Sequence, residues 1–129
     1  MVKELILSAI ILIMIFIGNS VTANYTKLSV EDTSNRLIQL KDNLNEENVD
    51  EDEVKNKIEE IHNQWDKKYE VLAYYLEHTE LEKIETELTD VRARIKIDEF
   101  DEAIPEIDKC IFLLRHVKEK NEFTLKNIF

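Results

Sequence analysis

Few side chains in this 129-residue sequence have the types and spacing that could do chemistry. Glu59 and His62 are three residues apart on a predicted helix, which is the Glu-x-x-His spacing that di-metal helical bundles use. Such a centre needs a second copy of the motif, and the other two histidines have no glutamate at the matching position. His62 can instead pair with Asp66, one helical turn further on. We therefore expect no metal site and no cofactor.

The stretch Asp42–Glu60 holds nine acidic residues and two lysines, and it carries much of the net charge of −11. Its Asp50-x-Asp52 spacing lacks the glycine and the terminal glutamate of a calcium-binding EF-hand loop. Runs of acids are usually solvated surface. Because nucleic acid and anionic lipid surfaces repel such a chain, we expect no nucleic-acid partner.

Aromatic residues are concentrated on one predicted helix, which carries Trp65, Tyr69, Tyr74 and Tyr75. Tryptophan and tyrosine dominate interface hot spots, so these four residues are a candidate interaction face for a protein or a small ligand. A helix core with tyrosines at its rim gives the same pattern. The single cysteine, Cys110, has no base beside it in the sequence pattern and is expected to be a buried thiol. We identify no catalytic residue and expect no enzyme.

One glycine and one proline in the whole chain restrict the fold. Glycine-rich phosphate loops and tight two-residue hairpins both need glycine, and the only glycine, Gly18, lies near the N-terminus. The later turns must therefore use Asn, Asp or Thr. An acidic, all-helical protein remains.

Four helices are predicted from apolar residues at helical spacing. The first covers Val30–Leu44, either with Ser29 as its N-cap or as a continuation of the membrane segment through a short polar joint, and a polar break follows at Asn45–Asp52. The second ends near His78. Each predicted helix carries three to four apolar residues in every two turns, which is typical of helices in an antiparallel bundle. The stripe of the second helix consists of Val54, Ile58, Ile61, Trp65, Tyr69, Leu72 and Leu76.

The third helix is predicted to begin at Thr79, which forms a capping box with Glu82. Its stripe is Leu81, Ile84, Leu88, Val91 and Ile95. Asp98 or Asp101 is expected to cap the fourth helix. The stripe of that helix is Phe100, Ile104, Ile107, Ile111 and Leu114, with Pro105 in its first turns, and we expect the tail Phe123–Phe129 to fold back on the bundle.

The N-terminal segment is an anchor or a signal. Leu5–Thr26 contains no charged residue, and 20 mostly apolar residues span a bilayer, so Leu5–Ala23 is a candidate span. Val21-Thr22-Ala23 also fits the small-x-small pattern of a signal peptidase site, with cleavage after Ala23. Both alternatives keep Lys3 in the cytoplasm and export the acidic body. Residues 1–26 are thus the anchor or signal segment, and residues 27–129 the exported domain.

Five short stretches form a recognisable pattern over nearly the whole chain: Leu5–Ile17, Trp65-Asp66-Lys67-Lys68, His78 with Glu80-Leu81, Ile111–Val117 and Leu125-Lys126-Asn127-Ile128-Phe129. The pattern resembles a domain-of-unknown-function family of small bacterial proteins, each with an N-terminal membrane segment and an exported helical body. The resemblance implies an uncleaved anchor and carries no catalytic or binding residue.

These observations lead to two hypotheses about function. The first is a non-enzymatic interaction module on the outer face of the plasma membrane, which contacts another protein through its aromatic or acidic face. The second is a small ligand- or cation-binding sensor domain. Signal cleavage would convert either one into a secreted protein. The expected fold is an N-terminal transmembrane or signal helix followed by a small antiparallel bundle of three to four helices.

Overall fold

The computed structural model describes residues 1–128, with side chains described up to Phe123. Four α-helices account for the fold: α1 (Val2–Leu44), α2 (Glu51–Leu72), α3 (His78–Lys96) and α4 (Phe100–Ile128). α1 packs against α2 and α4, and α3 packs against the same two helices. Short connections make neighbours antiparallel, so the body is an up-down-up-down four-helix bundle. The predicted all-α bundle is confirmed.

The core is built from the predicted apolar stripes. Because residues three and four apart share one face of a helix, each stripe lies on the side turned towards the bundle axis. The five stripe residues of α3 are completely buried, and so are Trp65 and Leu72 of α2. Tyr69 and Leu76 pack at the edge of this core. The predicted stripe of α4 was wrong in part, because Phe100, Ile104 and Ile111 are only half-buried at the edge of the core. The buried face of α4 is Ala103, Ile107, Cys110, Leu114 and Val117, which follow one another at spacings of three and four residues.

The predicted helix start at Val30 with Ser29 as its cap was wrong, whereas the alternative of continuation from the N-terminal apolar segment is confirmed, because α1 runs unbroken from Val2 to Leu44. The polar residues around its middle are small, and their hydroxyls bond inside the helix. Thr26 Oγ1 donates to the carbonyl of Thr22 (2.9 Å) and Thr33 Oγ1 to that of Ser29 (2.9 Å). These residues therefore tolerate burial instead of capping a new helix. Gly18 lies within α1 as well and does not end it.

The turn between α2 and α3 also differs from the prediction. α2 ends at Leu72, and α3 begins at His78 with Glu77 as its N-cap, which makes no side-chain capping bond. Thr79 and Glu82 are thus already inside the helix, and the predicted capping box was wrong. The turn itself, residues 73–77, contains no Asn, Asp or Thr, so the prediction that every later turn uses one of these was wrong here as well. The backbone amide of Tyr75 bonds to the carbonyl of Leu72 (3.2 Å), which tightens the chain after α2.

The turn between α3 and α4 contains a left-handed residue, Asp98, with φ 64°. Its amide bonds to the carbonyl of Ile95 (3.1 Å), and the next amide, of Glu99, bonds to that of Arg94 (2.9 Å). This is a Schellman motif, in which glycine is the usual residue. Asp98 therefore ends α3, while Asp101 lies within the first turn of α4, so neither caps α4 as predicted.

Within the part of the chain that the structure describes, the end of α4 does not fold back on the bundle as predicted. The backbone of α4 continues to Ile128, and Phe123 is exposed. Pro105 lies inside α4, as predicted. The side chains of residues 124–129 lie outside the described part of the chain.

Candidate functional site

The bundle has two ends that differ in chemistry. The proximal end, near the apolar start of α1, contains residues 19–26 of α1, the α2–α3 turn and the last turns of α4. The distal end contains the α1–α2 and α3–α4 turns. These two ends, together with two side-chain groups on the bundle sides, are the candidate sites.

The four aromatic residues of the predicted interaction face do not share one exposed surface. Trp65 is completely buried in the core, and Tyr69 packs at its edge. Tyr74 is 90% exposed, on the turn after α2. Tyr75 reaches across to α1. The stripe periodicity correctly placed Trp65, but the two tyrosines after Leu72 leave the helix and therefore point elsewhere.

Tyr75 ties the α2–α3 turn to α1. Its hydroxyl lies 2.9 Å from Thr26 Oγ1 and donates to the carbonyl of Thr22 at 3.1 Å. Burial raises the pKa of Tyr75, so its hydroxyl keeps the proton that it donates. On the other side, Asn121 of α4 donates its Nδ2 to the carbonyl of Ala23 (3.2 Å). Ala23, after which cleavage was predicted, is therefore a bonded and buried part of the bundle.

A half-open cavity of about 280 Å³ lies at the proximal end, lined by three segments of the chain. A cation and two acids lie within it: Lys120 Nζ is 3.2 Å from Glu77 Oε1 and 3.8 Å from Glu80 Oε1. No sequence signal could have found this cavity, because its walls come from residues about 50 and 100 positions apart. The lining residues are Asn19, Thr22, Ala23, Tyr75, Leu76, Glu77, Glu80, Val117, Lys120 and Asn121.

The distal end is strongly acidic. Residues 41–57 and 94–102 meet there and contain eleven acids against five lysines and arginines. Lys55 Nζ bonds to Asp98 Oδ1 at 2.8 Å and so joins the two turns, and this bond raises the pKa of Lys55. The acidic run noted in the sequence is thus joined in space by a second acidic segment.

His62 lies between two carboxylates on the side of the bundle. Its Nδ1 is 3.4 Å from Asp66, the predicted pairing, and its Nε2 is 3.2 Å from Glu85 of α3. One ligand atom from each of the three lies within 4.8 Å of the others, so the group could hold a divalent cation. Burial, then the charge of Asp66, raises the pKa of Glu85. Glu59 takes no part, because it pairs with Arg92 at 2.6 Å.

A second acidic group joins α3 to α4, where Glu87, Asp90 and Glu106 bring three carboxylates within 4.8 Å. Burial and the hydrogen bond with Glu106 raise the pKa of Glu87 to about 7. The direction follows from the geometry, because two carboxylates this close repel each other when both are ionised. Cys110 lies in the core, where burial raises its pKa to about 12, so its thiol is unreactive at neutral pH.

Comparison with known families gives one match. The model of a domain of unknown function, DUF4363, covers residues 20–128. The chain belongs to this family. The family description assigns no activity, and the match begins three residues before Ala23. A search of curated proteins and a search of solved structures gave no match.

Proposed function

We propose that the protein is a non-enzymatic, membrane-anchored module that binds another protein on the extracytoplasmic side. The observation that carries the proposal is the construction of α1. Its apolar N-terminal part is exposed and is long and apolar enough to cross a bilayer, although a signal sequence would meet the same test. The same unbroken helix then supplies one side of the bundle. A span that continues as a structural helix of the body is typical of a retained anchor.

Retention of the N-terminal segment is supported by what cleavage after Ala23 would remove. The carbonyl of Thr22 accepts the Tyr75 hydroxyl, and Ala23 accepts Asn121. Both bonds would be lost, and the proximal cavity would lose its α1 wall. The family match, which starts at residue 20, includes these positions. Lys3, just before the span, favours a cytoplasmic position for the N-terminal side of the span and an exported body.

The distal end is the surface that we propose for the partner. With a retained span, this end points away from the bilayer, at the top of helices about 30 Å long. Its excess of six negative charges favours a partner with a basic surface, because complementary charge accelerates and orients association. The same charge disfavours nucleic acid.

Site-specific cross-linking in intact cells tests the proposal. A photo-reactive amino acid replaces Glu47 or Asp101 at the distal end, and Lys67, which lies far from that end in the C-terminal third of α2, serves as the matched exposed control. We expect adducts with a second, basic protein from Glu47 and Asp101 and none from Lys67, as measured by mass spectrometry. In a further variant the photo-reactive amino acid replaces Glu46, and the charges beside it are reversed by Glu47→Lys and Asp101→Lys. This double charge reversal should abolish the adducts with the basic protein. Self-adducts alone, or equal yields from Lys67, would count against a protein partner at this end.

The second candidate is a cation sensor, favoured by the grouping of His62, Asp66 and Glu85. A cation that binds only the folded state raises the melting temperature with its concentration. Melts of the full chain in detergent with Ca²⁺, Mg²⁺, Mn²⁺ or Zn²⁺ test this function. A rise that His62→Gln abolishes supports it. A flat response to all four ions removes it.

A further inference from the structure

The length of α1 determines how high the bundle can stand above the bilayer. A hydrocarbon core of about 30 Å takes about 20 helical residues. Counted from Leu5, the first residue of the charge-free run, the twentieth is Asn24. The bundle, however, already begins at Asn19, which is half-buried, and Ala23 is buried. Tilting the helix would require still more residues.

We propose that the proximal end of the bundle sits in the lipid headgroup layer of the outer leaflet, with Tyr74 and Phe123 as its interfacial side chains. This inference rests on the proposed membrane anchor. The span and the bundle share the six residues Asn19–Asn24 of α1, or about 8 Å of helix, and no linker separates them. The bilayer surface therefore meets the proximal end directly.

The exposed side chains at this end match such a position. Tyr74 is 90% and Phe123 66% exposed, and Val21 and Val71 are also accessible. Exposed apolar groups that cluster on one surface indicate a contact surface, and aromatic residues concentrate at the level of the lipid headgroups. A tyrosine suits this layer because its ring is apolar while its hydroxyl remains hydrated.

The bonds to α1 fix the depth of these residues. The Tyr75 hydroxyl on the carbonyl of Thr22 holds the α2–α3 turn, and so its neighbour Tyr74, at the level where the span ends. Asn121 on the carbonyl of Ala23 does the same for α4. Since α4 runs antiparallel to α1, its backbone continues past Asn121 to Ile128, about 10 Å further towards the membrane.

The charges are distributed accordingly. Residues 18–27, 69–80 and 115–123, which form the proximal end, contain five acids and four lysines and arginines. This end is nearly neutral, whereas the distal end has an excess of six acids. An anionic leaflet would repel the distal end but not the proximal one. The near-neutral end is also the one that the span brings to the bilayer.

Depth measurements on the full chain in phosphatidylethanolamine–phosphatidylglycerol vesicles test the inference. Single cysteines at Leu12, Tyr74, Phe123 and Glu47 carry a spin label, and its collisions with oxygen and with a water-soluble nickel chelate report depth. Cys110 can stay, because a buried thiol with a pKa of about 12 does not react, and the wild-type chain checks this.

We expect Leu12 in the hydrocarbon, Tyr74 and Phe123 within a few ångströms of the phosphate level, and Glu47 in water. Tyr74 and Phe123 as accessible to the chelate as Glu47, with Leu12 deep, would overturn this inference and leave the anchor intact. Leu12 in water would overturn the anchor itself. The emission of the buried Trp65 confirms that each labelled chain is folded, and all labelled positions are exposed.

Discussion

Tyr75→Phe tests the bond that holds the α2–α3 turn against α1. The Tyr75 hydroxyl, Thr26 Oγ1 and the carbonyl of Thr22 lie 2.9–3.1 Å apart and share two hydroxyl protons among three contacts. Removing the phenol oxygen leaves Thr26 bonded to Thr22, so no buried donor is left without a partner. The loss is therefore that of a net hydrogen bond, about 1 kcal/mol, and not the larger penalty for an orphaned buried group.

Urea unfolding of the full chain in detergent, followed by the emission of Trp65, measures this loss. Trp65 is the only tryptophan and is completely buried, so its emission reports the bundle and not the apolar part of α1. We expect the midpoint to fall with an unchanged slope, which indicates a change in stability alone. In a thermal melt, about 1 kcal/mol corresponds to a drop of about 4–8 °C for a domain near 100 residues.

Tyr74→Phe is the matched control, because it makes the same change one residue earlier in a side chain that is 90% exposed. It should change stability by less than about 0.5 kcal/mol. Thr26→Val completes a double-mutant cycle, and its effect should not add fully to that of Tyr75→Phe. Equal, negligible effects of the two tyrosine variants, or full additivity with Thr26→Val, would refute the reasoning.

Three further predictions concern the bundle itself. Asp98→Gly should stabilise the protein by about 0.5–1 kcal/mol, because glycine adopts the left-handed backbone without strain. A loss of stability would contradict this and show that the ion pair of Asp98 with Lys55 matters more. Leu88→Ala should destabilise the protein by about 2–5 kcal/mol, because it opens a cavity in the core. Phe112→Ala, at an exposed position, should have little effect. Equal losses of stability in the two variants would contradict the burial of Leu88 in the core. Because the pKa of Glu87 is raised to about 7, the folded state retains a proton that the unfolded state loses above pH 4.5, so this group lowers stability as pH rises to 7. Glu87→Gln should match the wild type near pH 4 and be more stable at pH 8 by less than about 1 kcal/mol in urea titrations, and an advantage that does not grow with pH would contradict this origin.

The bundle could be predicted from the sequence because its signals are local. The stripes of α2 and α3 have a regular spacing, so the burial of Trp65 and Leu88 followed from periodicity alone. The ends of the helices were harder to predict from the sequence. Thr79 and Ser29 have the chemistry of caps, but both lie inside helices, Ser29 on the buried face of α1 and Thr79 on the exposed surface of α3.

The candidate sites could be predicted only in part. His62 and Asp66 are one helical turn apart, so their pairing could be predicted from the sequence. The contact of His62 with Glu85 depends on how α2 packs against α3 and could not. The proximal cavity and the joined acidic turns require contacts across the whole chain, which a single sequence does not specify. The left-handed turn at Asp98 was missed because glycine, its usual residue, is absent there.

The central claim is that α1 remains intact as both anchor and bundle helix. The intact mass of the protein purified from the membrane fraction of its own cells tests this claim most directly. We predict a membrane-bound chain that retains residues 1–23, with or without its initiating methionine. A soluble chain whose N-terminus is Asn24 would contradict the account.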